Sequence, residues 1–97
     1  DAEDAWAKVQ EELNELRFEI EQQSERVEAE FGDVLFSLVN YARFLNISPE
    51  NALATTNQKF KGRFQKMEAL ISEEGLDIKE LDLAAMDDFW NLVKAQE

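Results

Sequence analysis

Apolar side chains recur at helical spacing along almost the whole chain, and this pattern constrains the fold more than any other feature. The best-kept stripe lies between residues 25 and 46, where an apolar residue returns every three or four positions. It comprises Val27, Phe31, Val34, Leu35, Leu38, Ala42 and Leu45. Similar stripes occupy residues 4–23, 49–74 and 82–94, and no segment has a strand-like pattern. The sequence therefore predicts an all-α, four-helix bundle-like fold with short connections.

Local signals set the ends of these helices. Residues 22–25 are polar and lack apolar periodicity, so we expect the first turn there. Ser48 followed by Pro49 is typical of an N-cap and the first position of a helix. Gly75 is the predicted C-terminal stop of that third helix. Asp82 is then the predicted N-cap of the last helix.

Composition excludes several classes of function. A length of 97 residues fits one domain, since domains run from about 50 to about 250 residues. The net charge of −12, from 22 acidic and 10 basic side chains, argues against binding in the groove of DNA or RNA. The chain has no histidine and no cysteine, which removes nearly every zinc or di-iron site and the usual general base.

The ends of the chain and its hydropathy bear on location. No apolar run approaches the roughly 20 residues of a membrane-spanning helix, and the charged start has no signal-peptide core. We therefore expect a cytoplasmic protein. Residue 1 is not Met and the helical pattern starts almost at once, so residues 1–97 are interpreted as one domain of a longer chain.

Two acidic pairs are the candidate centre of the chemistry. Glu12 and Glu15 are three residues apart, as are Glu30 and Asp33, so each pair shares one face of its helix. Two such helices packed antiparallel would bring four carboxylates to one point, where they repel unless a cation lies between them. Oxygen ligands without nitrogen or sulfur suit Mg²⁺ or Mn²⁺. The alternative is a solvated acidic face, which is the commoner meaning of such a charge pattern.

The third helix carries a basic row in an otherwise acidic chain. Lys59 and Arg63 are four residues apart and share a face, where they either balance the acidic helices or bind phosphate. Asn57 falls in the apolar row of the same helix and is either a buried amide or a ligand. Trp90, in the last helix, is more often a packing anchor than a platform for a base.

Five blocks in order resemble the MazG-type nucleoside triphosphate pyrophosphohydrolases. They are Lys8-x-x-Glu11-Glu12-x-x-Glu15, Glu30-x-Gly32-Asp33-Val34-Leu35-Phe36, Val39-Asn40-x-Ala42-Arg43, Asn57-x-Lys59-Phe60-x-x-Arg63-Phe64 and Trp90-x-x-Val93-Lys94. The resemblance covers nearly the whole chain. It implies an all-α, usually dimeric enzyme that cleaves nucleoside triphosphates between the α and β phosphates.

The resemblance also implies roles for individual residues. The metal ligands would be Glu12, Glu15, Glu30 and Asp33, holding Mg²⁺ or Mn²⁺. The phosphate contacts would be Lys8, Lys59 and Arg63, with Arg26 a weaker candidate, and Trp90 would lie near the nucleotide. Asn40 and Asn57 are candidates for lining the nucleotide pocket.

The implied mechanism is metal-assisted hydrolysis, in which Glu11 or a ligand carboxylate such as Glu12 accepts the proton of the attacking water. Two other interpretations stay open. One is a catalytically weak nucleotide-binding or dimerisation domain, and the other is an acidic scaffold whose carboxylates face water.

Overall fold

The computed structural model describes residues 1–97 and contains four α-helices and no strand, which confirms the all-α prediction. The helices are α1 (Ala2–Glu21), α2 (Val27–Phe44), α3 (Pro49–Glu73) and α4 (Leu83–Ala95), with a 3₁₀ turn at Ile78–Glu80. The chain divides into two compact units, Asp1–Ala52 and Leu53–Glu97, and the division falls within the first turn of α3. That division was not expected from the sequence.

The first unit is an antiparallel hairpin of α1 and α2. The Trp6 and Tyr41 rings meet at one end, with centroids 5.3 Å apart, and Glu19 lies near Arg26 at the other end. Antiparallel packing follows because residue numbers rise on α1 as they fall on α2. The buried apolar side chains of this hairpin are Ala5, Val9, Val34 and Ala42.

The turn between α1 and α2 lies where the sequence predicted it. Gln23 has a positive φ of 52°, which reverses the chain after α1 ends. The Ser24 hydroxyl accepts a hydrogen bond from the Arg26 N–H at 2.9 Å, so the residue before α2 is fixed by a local side-chain contact. Arg26 itself is the N-cap residue of α2, without a side-chain cap. The short turn therefore sets which residues of α1 and α2 face each other.

The second unit contains most of α3, together with the 3₁₀ turn and α4. Ser48 Oγ accepts from the Asn51 N–H at 3.2 Å and caps α3, as predicted. Gly75 has φ 74°, a left-handed conformation that favours glycine and ends α3. Asp82 Oδ1 accepts from the Ala85 N–H at 2.8 Å and caps α4.

The buried core of this unit is Met67, Ile71 and Val93, with Phe64 and Trp90 among the partly buried side chains packed on it.

One sequence-based interpretation is wrong in this structure. Asn57 is exposed, which excludes the buried-amide interpretation within this chain. Several apolar side chains of the predicted stripes are also exposed, among them Leu13 and Phe31.

None of the helices combines the length and the apolar character that crossing a bilayer requires.

Candidate metal centre

The hairpin brings three of the four predicted metal ligands together. One carboxylate oxygen each from Glu12, Glu15 and Glu30 lies within 4.8 Å of the others. Glu12 and Glu15 are one turn apart on α1, and Glu30 comes from the first turn of α2. The antiparallel packing predicted from the two acidic pairs therefore gives a shared carboxylate cluster at this position.

Two of these carboxylates are buried, and each is only half satisfied. Glu12 Oε1 contacts the Lys8 ammonium at 3.0 Å, and Glu30 Oε1 accepts from Arg26 Nη2 at 2.9 Å. The second oxygen of each, Glu12 Oε2 and Glu30 Oε2, is buried without any hydrogen-bond partner. Each buried glutamate is thus held by a cation at one oxygen and left open at the other.

An open buried carboxylate oxygen is costly. Leaving such a group without a partner costs about 1–3 kcal/mol or more, and the cost is higher for charged groups. Buried charges are ordinarily paired or coordinate a metal. Glu12 and Glu30 are 7% and 5% exposed, so bulk water does not relieve the cost. A cation bound by these open oxygens would relieve it.

Glu15 completes the cluster from its exposed side. The negative charge of Glu12 raises the pKa of Glu15 above its ordinary value of 4.5, with smaller contributions from desolvation and from Glu30. The direction of this shift shows that the ionised form of Glu15 is disfavoured next to its neighbours. A bound cation would reverse the balance, because it would attract the same charges that now repel one another.

The donor set fits a hard divalent cation. All three donors are carboxylate oxygens, which suit Mg²⁺, Mn²⁺ or Ca²⁺ and not the metals that prefer nitrogen or sulfur. Two oxygens on one Mg²⁺ lie about 3 to about 4.2 Å apart, given its octahedral bond lengths. The present limit of 4.8 Å is slightly wider, so the carboxylates would close on the ion by small side-chain rotations.

Asp33, the fourth predicted ligand, lies beside the cluster but outside the three-oxygen group. It is exposed and lines a cavity of about 270 Å³ together with Glu12, Lys8 and Asn40. The predicted phosphate contact Lys8 and the predicted pocket residue Asn40 therefore share one cavity with a predicted metal ligand. The role of Asp33 as a ligand stays a prediction.

Arg26 contacts the cluster at Glu30, near the turn between α1 and α2. Its guanidinium contacts Glu30 at 2.9 Å and Glu19 at 4.0 Å, and the Glu30 contact is the main reason that the pKa of Arg26 is raised. A second cavity of about 410 Å³ is lined by Arg26, Glu15 and Glu30, among others. Arg26 therefore orients Glu30. This role was not predicted from the sequence, where Arg26 was expected to contact phosphate.

Glu11, a predicted proton acceptor, is exposed on the outer face of α1. Its carboxylate contacts Lys8 Nζ at 3.5 Å, while Glu12 contacts the same ammonium at 3.0 Å. These two contacts raise the pKa of Lys8, Glu12 having the larger effect. Both predicted catalytic carboxylates therefore touch one ammonium group.

The remaining predicted residues belong to the second unit. Asn57 and Lys59 are exposed on α3. Arg63 forms a two-point ion pair with Glu97, and the Trp90 ring lies 5.1 Å from the Phe60 ring, centroid to centroid. Trp90 also lines an apolar cavity of about 240 Å³ with Phe60 and Phe64. The binding roles of these four residues stay predictions.

Sequence reasoning did not find two of the contacts around the predicted site residues. The partner of Arg63 is 34 positions away in the sequence, and no local spacing rule links residues so far apart. The contact between Arg26 and Glu19 crosses the turn. Its only signal in the sequence is that Glu19 continues the stripe of Glu12 and Glu15 toward that turn.

Comparison with known proteins agrees with the geometry. Residues 2–68 match the family model of the MazG nucleotide pyrophosphohydrolase domain. The chain is 47% identical over 94 residues to a Thermotoga maritima protein named nucleoside triphosphate pyrophosphohydrolase/pyrophosphatase MazG, covering 97% of this chain and 36% of that protein. It is 40% identical over 93 residues to the Escherichia coli nucleoside triphosphate pyrophosphohydrolase, covering 93% of this chain and 35% of that protein.

A third relative is the uncharacterised protein YabN of Bacillus subtilis, 49% identical over 71 residues, which are 73% of this chain and 14% of that protein. The chain therefore spans about a third or less of the length of these relatives. The family match covers α1, α2 and most of α3, including all the carboxylates of the cluster. This chain belongs to the MazG nucleotide pyrophosphohydrolase domain family.

Proposed function

We propose that this domain hydrolyses nucleoside triphosphates between the α and β phosphates, giving nucleoside monophosphate and pyrophosphate, with Mg²⁺ as cofactor and Mn²⁺ as a substitute. The observation that carries the proposal is the pair of buried, unpartnered oxygens of Glu12 and Glu30 beside Glu15. Two relatives are named nucleoside triphosphate pyrophosphohydrolases, which supports the same reaction class.

Glu12, Glu15 and Glu30 would hold the ion, with Asp33 proposed as a further ligand. A bound divalent cation would supply charge neutralisation on the polyphosphate and a lowered pKa for a nearby water. The protein's own contribution is orientation. Lys8 fixes one oxygen of Glu12, so the other oxygen keeps a defined direction.

The cavity beside the cluster offers groups for the substrate. The Lys8 ammonium has three donors, and its contacts with Glu11 and Glu12 place it at the edge of this cavity. We propose that it binds a phosphate oxygen and that Asn40, which is partly buried there, contacts the nucleoside. Ser37 is less available, because its buried hydroxyl already donates to the Val34 carbonyl at 2.8 Å.

Proton transfer requires a base, and the chain has no histidine. We propose that Glu11 or Glu12 accepts the proton of the attacking water. Both carboxylates contact Lys8, so a proton taken by either would weaken its bond to the ammonium. Glu11→Gln, read as a pH–rate profile, distinguishes them: the acidic limb is lost if Glu11 is the base and kept if Glu12 is the base.

We further propose that the domain acts as a homo-oligomer, most simply a dimer. Support comes from exposed apolar side chains on the hairpin, of which Phe36 is 76% exposed and Phe18 57%. Large exposed apolar surfaces mark interaction sites. Sedimentation velocity measures the mass, and a monomer at all concentrations would contradict this part of the proposal. Action in the cytoplasm stays a prediction.

The test of the function is a panel of ribo- and deoxyribonucleoside triphosphates with Mg²⁺, in which monophosphate and pyrophosphate are measured separately. We expect the two products in equal amounts and no turnover when the metal is chelated. Release of nucleoside diphosphate and orthophosphate would contradict cleavage at the α–β bond. Nucleotide binding without any product would favour the alternative, a binding or dimerisation domain of a longer protein.

A further inference from the structure

Arg63 and Glu97 form the best-defined ion pair of the second unit. Arg63 Nε donates to Glu97 Oε1 at 2.6 Å and Nη2 donates to Oε2 at 2.7 Å, a two-point contact between α3 and the residues that follow α4. The side chains are only 20% and 35% exposed. Short, charge-assisted pairs of this geometry are stronger and more directional than single contacts between exposed charges.

The contact leaves most of the guanidinium available. Arginine has five N–H donors, and this pair uses one on Nε and one on Nη2. Both donors of Nη1 and the second donor of Nη2 remain for another acceptor. Glu97 therefore holds Arg63 along one edge and leaves the end of its guanidinium free to donate.

The surroundings of Glu97 are cationic. Arg63 has the largest effect in lowering the pKa of the Glu97 carboxyl, and Lys66 and Lys59 lower it further. The same contact raises the pKa of Arg63. Both partners are therefore ionised at neutral pH, and three basic side chains of α3 lie close enough to one carboxylate to act on it electrostatically.

We propose that Glu97 is a positioning residue for Arg63, fixing the guanidinium so that its free end donates to a phosphate of the substrate. The inference rests on the proposed function and on the phosphate contact that the family resemblance implies for Arg63, and it adds Glu97 as the residue that positions this contact. An arginine that is already ordered loses less side-chain freedom when it binds. This smaller loss of side-chain entropy corresponds to about a 2- to 10-fold gain in affinity.

Two other roles of Glu97 give different results. A carboxylate that competes with substrate for Arg63 would have to leave before phosphate binds, so its removal would tighten binding. A merely structural ion pair would change the stability of the second unit without changing substrate binding. The three roles differ in the sign of the change in KM.

The experiment measures kcat and KM of the full chain, at physiological salt to screen the change in net charge. We expect Glu97→Gln to raise KM by about 2- to 10-fold, with kcat changed by less than about 2-fold. Glu97→Asp keeps the charge but shortens the reach, so it should also raise KM, to a smaller extent. Glu74→Gln, an exposed residue of the same unit with the same charge change, is the matched control and should leave KM unchanged.

A double-mutant cycle tests whether Glu97 acts through Arg63. Lys cannot make the two-point contact, so Arg63→Lys removes the positioning while keeping the charge. In that background Glu97→Gln is expected to have no further effect on KM. A fall in KM on Glu97→Gln, an unchanged KM with a lower melting temperature, or an additive effect in the double variant would each overturn the proposal.

Failure of the proposed function is recognised separately. If the parent chain releases no pyrophosphate from any nucleoside triphosphate, the proposed activity is wrong. Calorimetric binding of inorganic triphosphate then tests Glu97 without turnover. We expect binding to be weakened about 2- to 10-fold by Glu97→Gln and unchanged by Glu74→Gln, and equal affinity in parent and Glu97→Gln would overturn the inference.

Discussion

Replacing Glu15 by Gln is expected to lower the rate of pyrophosphate release by at least about 100-fold. Removing a residue that only hydrogen-bonds to a metal ligand already lowers activity by about 10- to 100-fold, and removing the ligand itself should lower it at least as much. The substitution keeps the size of the side chain and removes its charge. Glu15 is exposed, so the fold does not depend on burying it. Pyrophosphate release under saturating Mg²⁺ measures the effect.

The same substitution is expected to raise the melting temperature when no divalent cation is present. Glu12 raises the pKa of Glu15, so the ionised Glu15 carboxylate destabilises the folded state. That cost is fully present above the raised folded pKa and disappears below the ordinary value of 4.5. The stability difference between Glu15→Gln and the parent should therefore shrink as the pH falls from neutrality toward 4.5.

A variant that loses activity and gains metal-free stability has lost a ligand, whereas a variant that loses both has simply been damaged. Glu28→Gln is the matched control, since Glu28 is an exposed residue at the start of α2 outside the cluster. It should retain activity and show no gain in stability. Full activity of Glu15→Gln would remove Glu15 from the ligand set.

Mg²⁺ is expected to stabilise the parent chain strongly. A ligand at 100 times its Kd stabilises the folded state by about 2.7 kcal/mol. For a domain of this size, that corresponds to a rise in melting temperature of roughly 10–20 °C. The physical source is the relief of repulsion among Glu12, Glu15 and Glu30 and the pairing of two open oxygens. Thermal melting across a Mg²⁺ titration measures the shift.

The controls separate site binding from general screening. NaCl at matched ionic strength should raise the melting temperature much less. Both salts screen exposed charges equally, so the difference between them measures binding of Mg²⁺ at the cluster. Glu12→Gln and Glu30→Gln each remove a buried ligand and should abolish most of the Mg²⁺-dependent shift, while Glu28→Gln should keep it. An equal shift in all four proteins would show that Mg²⁺ acts elsewhere.

Helical spacing predicted that Glu12, Glu15 and Glu30 would meet, but it also placed Asp33 with them, and Asp33 lies outside the three-oxygen group. Because residues three apart share a helix face, Glu12 and Glu15 had to point the same way once α1 formed. The polar turn after α1 then required antiparallel packing, which brought Glu30 to them. The helix ends were predictable for a similar reason, since Ser48, Gly75 and Asp82 act through hydrogen bonds or backbone conformations within a few residues.

Burial and long-range pairing were not predictable in the same way. The sequence does not distinguish Glu12 and Glu30, which are buried, from Glu15 and Asp33, which are exposed, because that depends on how two helices meet. It also gives no sign that Glu97 would contact Arg63, since the pairing depends on α3, the 3₁₀ turn and α4 together.

The most direct measurement is a crystal structure of the chain with Mn²⁺, using the anomalous scattering of the metal to locate it. We expect an anomalous peak within about 2.5 Å of carboxylate oxygens from Glu12, Glu15 and Glu30. We also expect this peak to be lost in Glu15→Gln or Glu30→Gln. A peak elsewhere on the chain, with the open oxygens of Glu12 and Glu30 still unpaired, would contradict this metal site.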